Sequence, residues 1–388
     1  MKLSEEKRRL LQTVRVQHKA WLADMTKFIS LYSENTSPDF DLEGKQSDYD
    51  SANLKKTERS LAERLRSVIE DLELLLKDLL GENSLARSSL KPISADPKTS
   101  LVMLLDPSLD SLPWEGLAVA DLFSGKVSRD FSIHMFYHRI KTCLAMTSSD
   151  TNIANSFPMP IPETISLSAS SSKFLVDQYD EDPGNKTQGL ERDSISNVVI
   201  NILQNRIIGG KKWTNLRKGQ SFVSLQDWIK AIDLSSSAGT KDTSLLTLFT
   251  YSLGRFGSIL SPSVVASMNL EKLGFFACFD MGHNDSSYRR QVSCDVIKKS
   301  FEVENEMPLH MTSILSLAGT ACVLSHSWST PFVAQNRLVD SFWNSFCSPK
   351  KSSVAASLSE AVTDKGIKKW IRCSRVLYGI PFLVYNEN

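Results

Sequence analysis

Histidine is scarce in this chain. There are six in 388 residues, and none lies between His138 and His283. That gap removes the commonest general base from the middle of the sequence. The cysteines, also six, stand at 143, 278, 294, 322, 347 and 373, with no C-x-x-C pair. This spacing excludes a zinc-finger pattern and predicts free thiols in a reducing compartment. The sequons at Asn185 and Asn284 are then idle, because glycosylation needs the secretory route. There is no G-x-S-x-G elbow, and "GGKKWT" at 209–214 lacks the phosphate-loop spacing and reads as a turn. The formal charge is only +1, so no broad basic field exists to hold nucleic acid or an anionic membrane. No apolar run reaches membrane-spanning length. The opening "MKLSEEKRRLLQTV" places charges where a signal peptide would be apolar, which predicts a chain that is not secreted.

What is present is globular composition, 41% hydrophobic and 23% charged, in a chain long enough for a domain and an appendage. Leu10, Val14, Trp21, Met25 and Phe28 recur on one face of a helix. Residues 33–53, "SENTSPDFDLEGKQSDYDSAN", are acidic and read as a loop. Leu54, Leu61, Leu65, Val68, Leu72, Leu75 and Leu79 mark a second helix, with Asn53 as its cap and Gly81 past its end. Residues 1–95 therefore read as a helical hairpin, which either packs on the following domain or makes a short coiled-coil contact.

Residues 96–388 change character. Apolar runs at "LVMLLDPSL", "SKFLV", "SLLTLFTYSLG" and "GFFACF" alternate with helical stretches such as "SPSVVASMNLEKL" and "FVAQNRLVDSFWNSF". "FSIHMFYHRI" reads as a strand or a helix start, and "MTSILSLAGTACVLSHSW" as helix, glycine turn and strand. This is the pattern of an α/β, doubly wound, mostly parallel sheet. Residues 145–172, rich in serine and proline, form a polar excursion between strands. No internal repeat is found.

Function in such sheets gathers at the carboxyl ends of the strands. That rule puts Asp106, Asp177, Ser252–Arg255, Cys278–His283 and Ser325–Trp328 along one rim. Cys278 is the candidate nucleophile, and a nucleophilic thiol needs a base beside it. The preceding strand ends in "TYSLGRFG" and offers none, so His283 is the fallback base and His326 a second choice. Arg255 could lower the thiol pKa but cannot accept its proton. The greasy setting "FFACF" favours a structural Cys278 over a catalytic one. Zinc on His283, Cys278 and Cys294, or on Cys322 and His326, lacks finger-like ligand pairs. Asp106, Asp177 and Asp180 could hold magnesium but read better as solvated acids, so no metal and no cofactor are expected. Trp328 reads as packing more than as a binding platform. Lys211, Lys212, Arg217 and Lys218 form a local basic patch, at best a contact for an acidic surface such as tubulin.

The order of these pieces resembles the separase and CHAT-type cysteine peptidases of the caspase-like fold. "LDPSLDSLPWEGL" (105–117) is similar to that family's P-x-E-x-L segment, and "VSRDFSI" (127–133) to its S-R-x-x-S. "LAGTACVLSHSW" (317–328) is similar to its closing segment, and Cys278 matches its nucleophile. The family's catalytic histidine falls here on Leu253 or Gly254, neither of which is a base. The resemblance implies a pseudo-peptidase that kept the nucleophile position and lost the base. "LPWEGL" with "SRDFS" and the missing histidine further resembles the C-terminal region of the cilia- and flagella-associated protein 46 family. That likeness implies a structural component of the central apparatus of the ciliary axoneme, in cytoplasm and cytoskeleton. Its partners would be other axonemal proteins and possible tubulin contacts. Residues 1–90 would then end a helical array. The alternatives are an active peptidase using Cys278, and a non-catalytic peptide or nucleotide pocket at Asp106, Ser252–Arg255 and Trp328.

Overall fold

The computed structural model describes residues 5–35, 48–80, 100–106, 109–117, 126–147, 161–168, 173–176, 214–215, 246–253, 256–281, 295–330, 332–348, 352–363 and 367–386, with Ala120, Phe123, Ile229 and Ser293. The elements run α1 (Glu5–Asn35), α2 (Asp48–Leu80), β1 (Leu101–Leu104), β2 (Val127–Asp130), α3 (Ile133–Thr147), β3 (Ile165–Ser168), β4 (Lys173–Val176) and β5 (Thr214–Asn215). Then follow β6 (Leu246–Leu253), α4 (Phe256–Ile259), α5 (Pro262–Ala266), β7 (Leu273–Met281), α6 (Ser300–Asn305), α7 (Pro308–Leu317) and β8 (Cys322–His326). The chain closes with α8 (Phe332–Phe346), α9 (Val354–Thr363), α10 (Lys369–Arg372), β9 (Arg375–Gly379) and β10 (Leu383–Asn386).

Eight strands form one mixed sheet in the order β1-β2-β9-β8-β7-β6-β4-β5, and β3 pairs with β10 in a second, two-stranded sheet. β4, β5, β6, β7 and β8 are parallel to one another. The β8–β9 pair is antiparallel, and β2 and β1 follow β9 in direction. The sheet is therefore two parallel blocks that meet head to tail at one seam. This corrects the single rim expected from the sequence. β1 runs against β6, β7 and β8, so Asp106, just past its carboxyl end, lies at the opposite edge from their ends.

β7 is apolar at nearly every position because it is central and covered on both faces. Its side chains alternate between two hydrophobic clusters. Phe275, Ala277 and Phe279 join the larger one, and Phe276 and Cys278 the smaller. The turn from α7 into β8 uses Gly319 at φ +112°, where an added Cβ would lie 2.9 Å from the Glu271 nitrogen. Ser261 caps α5, accepting from the Val264 N–H, with Pro262 in the first turn.

Helices α1 and α2 share the larger core with the sheet. Trp21 donates its indole N–H to the Leu61 carbonyl at 2.8 Å and packs edge-on against Trp328 at 4.9 Å. Phe28 meets Trp370 at 6.4 Å, and Lys368 pairs with Glu58. α2 begins at Asp48, five residues before the expected cap, so Asn53 lies inside the helix and the loop is shorter than 33–53. Residues 131–140 resolve into the start of α3, which runs on to Thr147. The polar excursion of 145–172 thus holds the end of α3 and all of β3. Residues 193–207 and 224–233, "DSISNVVINILQNRI" and "SLQDWIKAID", read as two further helices from their sequence, and they fall outside the described residues apart from Ile229.

The candidate cysteine site

Cys278 lies within β7, three residues before its last residue, rather than at the tip. It is 5% exposed and belongs to the smaller cluster with Phe256, Phe276, Met311, Leu315 and Val323. Helix α7 supplies Met311 and Leu315 and covers this face of the sheet. The crevice beside the thiol has a volume of about 10 Å³ and is edged by Glu306, Pro308 and Ser325. That space holds about one water molecule and no substrate side chain. On β6, Thr250 stands beside Cys278 in register, and Leu253 stands beside Met281.

The buried imidazole nearest in the fold's logic is His326, at the end of β8. β7 and β8 pair Phe276 with Val323 and Ala277 with Leu324. Continuing that register sets Ser325 beside Cys278, in agreement with their shared crevice. Because successive side chains alternate faces, His326 points to the other side of the sheet. There it stands opposite Arg375 of β9, whose guanidinium lies 5.4 Å over the Phe279 ring. Burial, helped by Arg375, lowers the His326 pKa to about 3. Its Nδ1 has no hydrogen-bond partner among the described residues. A neutral imidazole behind a sheet cannot take the proton of a thiol in front of it.

The other described histidines are no closer to the task. His18 is buried in α1, stacked on Trp21 at 5.8 Å, with its pKa lowered to about 4 by burial and then by Arg129. His134 and His138 are exposed on α3. His310 is exposed on α7 and engages the Glu304 carbonyl at 2.9 Å. His283, Gly254, Arg255, Asp177, Asp180, Cys294, Lys211, Lys212, Arg217 and Lys218 lie outside the described residues. Cys322 and His326 are four positions apart on one strand, about 13 Å at the rise of an extended chain, too far to share an ion. Among the described residues no group of histidine, cysteine and acidic side chains has metal-binding geometry. Trp328 is 7% exposed and packs against Trp21 and His18.

The structure joins two motifs that the sequence presents separately. Arg129 of "VSRDFS" is fully buried and donates through Nε to Glu115 of "LPWEGL" at 2.7 Å. Its Nη2 also donates to Glu115 and, at 2.9 Å, to the Leu112 carbonyl, and Nη1 to the Asp110 carbonyl. Tyr378 closes the group by donating to Asp110 at 2.5 Å. Burial pulls the Arg129 pKa down, but Glu115, Tyr378 and Asp110 outweigh it and the net shift is upward. This buried cation pins the segment after β1 to β2 and β9. It does structural work: one side chain ties the Asp110 and Leu112 carbonyls and the Glu115 carboxylate of one turn together. Only the P-x-E and S-R residue types hinted at it; the pairing itself is tertiary.

Compared with solved structures, the chain matches a chain of the Saccharomyces cerevisiae separase–securin complex over 94% of its own length, with a TM-score of 0.54 at 10% identity. The fold is separase-like. The match takes in 27% of that separase chain, so the present chain spans about a quarter of it. A second crystal structure of the same complex matches with a TM-score of 0.47, also at 10% identity, over 95% of this chain and 28% of that one. No family model and no curated protein matches. Cys278 stands on β7 of the mixed sheet, next to β8 and one strand from the β8–β9 seam.

Proposed function

We propose that this chain is a non-catalytic structural and interaction module, a pseudo-peptidase of caspase-like fold in which the nucleophile position survives and the base does not. The observation that carries the reading is the placement of Cys278 and His326 on opposite faces of the sheet, with α7 laid over the thiol. The separase-like fold supplies the scaffold. The motif resemblance sets the lost histidine at Leu253, the last residue of β6, or at Gly254 after it.

We place the module in the ciliary axoneme, in the central apparatus, where it supports cilium movement through contacts with other axonemal proteins and tubulin. This rests on the combination of "LPWEGL", "SRDFS" and the missing histidine, which resembles cilia- and flagella-associated protein 46. The test is a tagged chain in a ciliated cell. Axonemal localisation, with a motility defect on deletion that Cys278→Ala does not reproduce, is expected. Loss of motility from that single substitution would overturn the scaffold reading.

The competing reading is an active cysteine peptidase using Cys278, and the separase-like fold is what favours it. It requires His283 to reach the thiol and α7 to move off it. Alkylation of Cys278 by iodoacetamide at neutral pH, faster than that of an ordinary exposed cysteine, would establish it.

A further inference from the structure

We propose that the chain carries a binding site for a small organic acid with an apolar body, in a cavity remote from Cys278. The cavity, about 500 Å³, lies between the β2–β9 part of the sheet and helices α9 and α10. Its volume is that of a metabolite-sized ligand site. Val127, Leu358 and Leu377 supply apolar walls. Three cationic side chains converge on the same space: Lys126 just before β2, Arg372 at the end of α10 and Arg375 at the start of β9.

Two carboxylates also line it, Glu115 and Glu360. Glu115 is already engaged by the fully buried Arg129, and Glu360 accepts from the Ser345 hydroxyl at 2.5 Å. Arg375 is held in place before any ligand arrives. Its Nη2 donates to Thr330 at 2.8 Å and to Gln335, and its guanidinium rests over the Phe279 ring. A guanidinium already held in place at an apolar wall is preorganised for a carboxylate or phosphate group, because the cost of ordering it is met in the fold. Arg372 is half-buried, its side chain makes no hydrogen bond or ion pair among the described residues, and it can close on the anion from the other side. Among the described residues the cavity shares no lining residue with the crevice at Cys278, so the site stands or falls independently of the scaffold reading.

The test is calorimetry on the full chain with octanoate, octan-1-ol and acetate. Octanoate binds, while the uncharged alcohol and the chainless acetate each bind at least about tenfold more weakly, since each lacks one half of the match. Arg372→Gln weakens octanoate about tenfold, and Ala356→Leu, which fills the cavity from α9, removes binding. Should Arg372→Gln lower the melting temperature, Lys126→Gln replaces it with the same expected weakening. No heat from octanoate at millimolar concentration, equal binding of alcohol and acid, or undiminished binding by the substituted chains would each overturn the proposal.

Discussion

Lowering the pH from 7.5 to 5.0 should destabilise this protein through His326 in a way that one substitution isolates. The folded-state pKa of His326 lies at about 3, against 6.5 for an unperturbed histidine, because burial and Arg375 oppose its charge. A depressed pKa means the unfolded chain takes up the proton first. The contribution is therefore fully present above about 6.5 and is lost as pH falls towards 3. At pH 5.0 the unfolded histidine is almost wholly protonated and the folded one almost wholly neutral. The 1.5 units below 6.5, at about 1.36 kcal/mol each, amount to about 2 kcal/mol. With an unfolding entropy of about 2.1 cal/mol/K per residue over 388 residues, that lowers the melting temperature by about 2–3 °C. The assay is urea denaturation of the parent and His326→Gln at both pH values. Carboxylates titrate alike in the two proteins, so the difference in their losses reports His326, and it should be about 2 kcal/mol. Equal losses, or an imidazole titrating near 6.5 by NMR, would refute the burial of a neutral His326.

Other expectations follow from the same geometry. Glu115→Ala strands the buried Arg129 and should cost about 3–5 kcal/mol by denaturant titration, far more than an exposed ion pair such as Arg9–Glu5. Trp21→Ala should cost about 3–5 kcal/mol in one cooperative transition, because Trp21 sits in the core shared with the sheet; a separate early melt of the helices would contradict this. Gly319→Ala should destabilise by about 1–3 kcal/mol, measured by thermal melting, since the residue needs φ +112° beside the Glu271 backbone. Alkylation of Cys278 should run more than about tenfold slower in the native chain than in urea, followed by mass spectrometry of the labelled peptide.

Much of the fold is visible in residue order. β7 and β8 show themselves as short continuous apolar runs, and α8 spans the same Phe332–Phe346 that its helical periodicity marks. β2 is not visible as a strand, because "VSRD" is polar and becomes fully buried only by pairing Arg129 with Glu115 and Asp130 with Arg139. Local propensity has no access to these side-chain pairings, which only the folded turn and α3 bring together. β9 and β10 are not legible for a related reason: their place is fixed by β8 and β3, outside their own stretch of chain. The site is less legible than the fold. Cys278 is recognisable as a candidate, yet which face it occupies relative to His326 depends on register between strands. A slip of one residue would reverse the answer. The rim expected to collect Asp106 with the other strand ends fails because nothing local announces that β1 runs the other way.

The join between α1, α2 and the sheet has a mechanical consequence. The indole of Trp21 is tied to α2 through the Leu61 carbonyl and wedged against Trp328 beyond β8, while Glu58 grips Lys368 beside α10. A pull along the two long helices is thus delivered to the sheet as sideways shear spread over several interlocked rings. A tether attached at the helices would therefore load the sheet through these contacts.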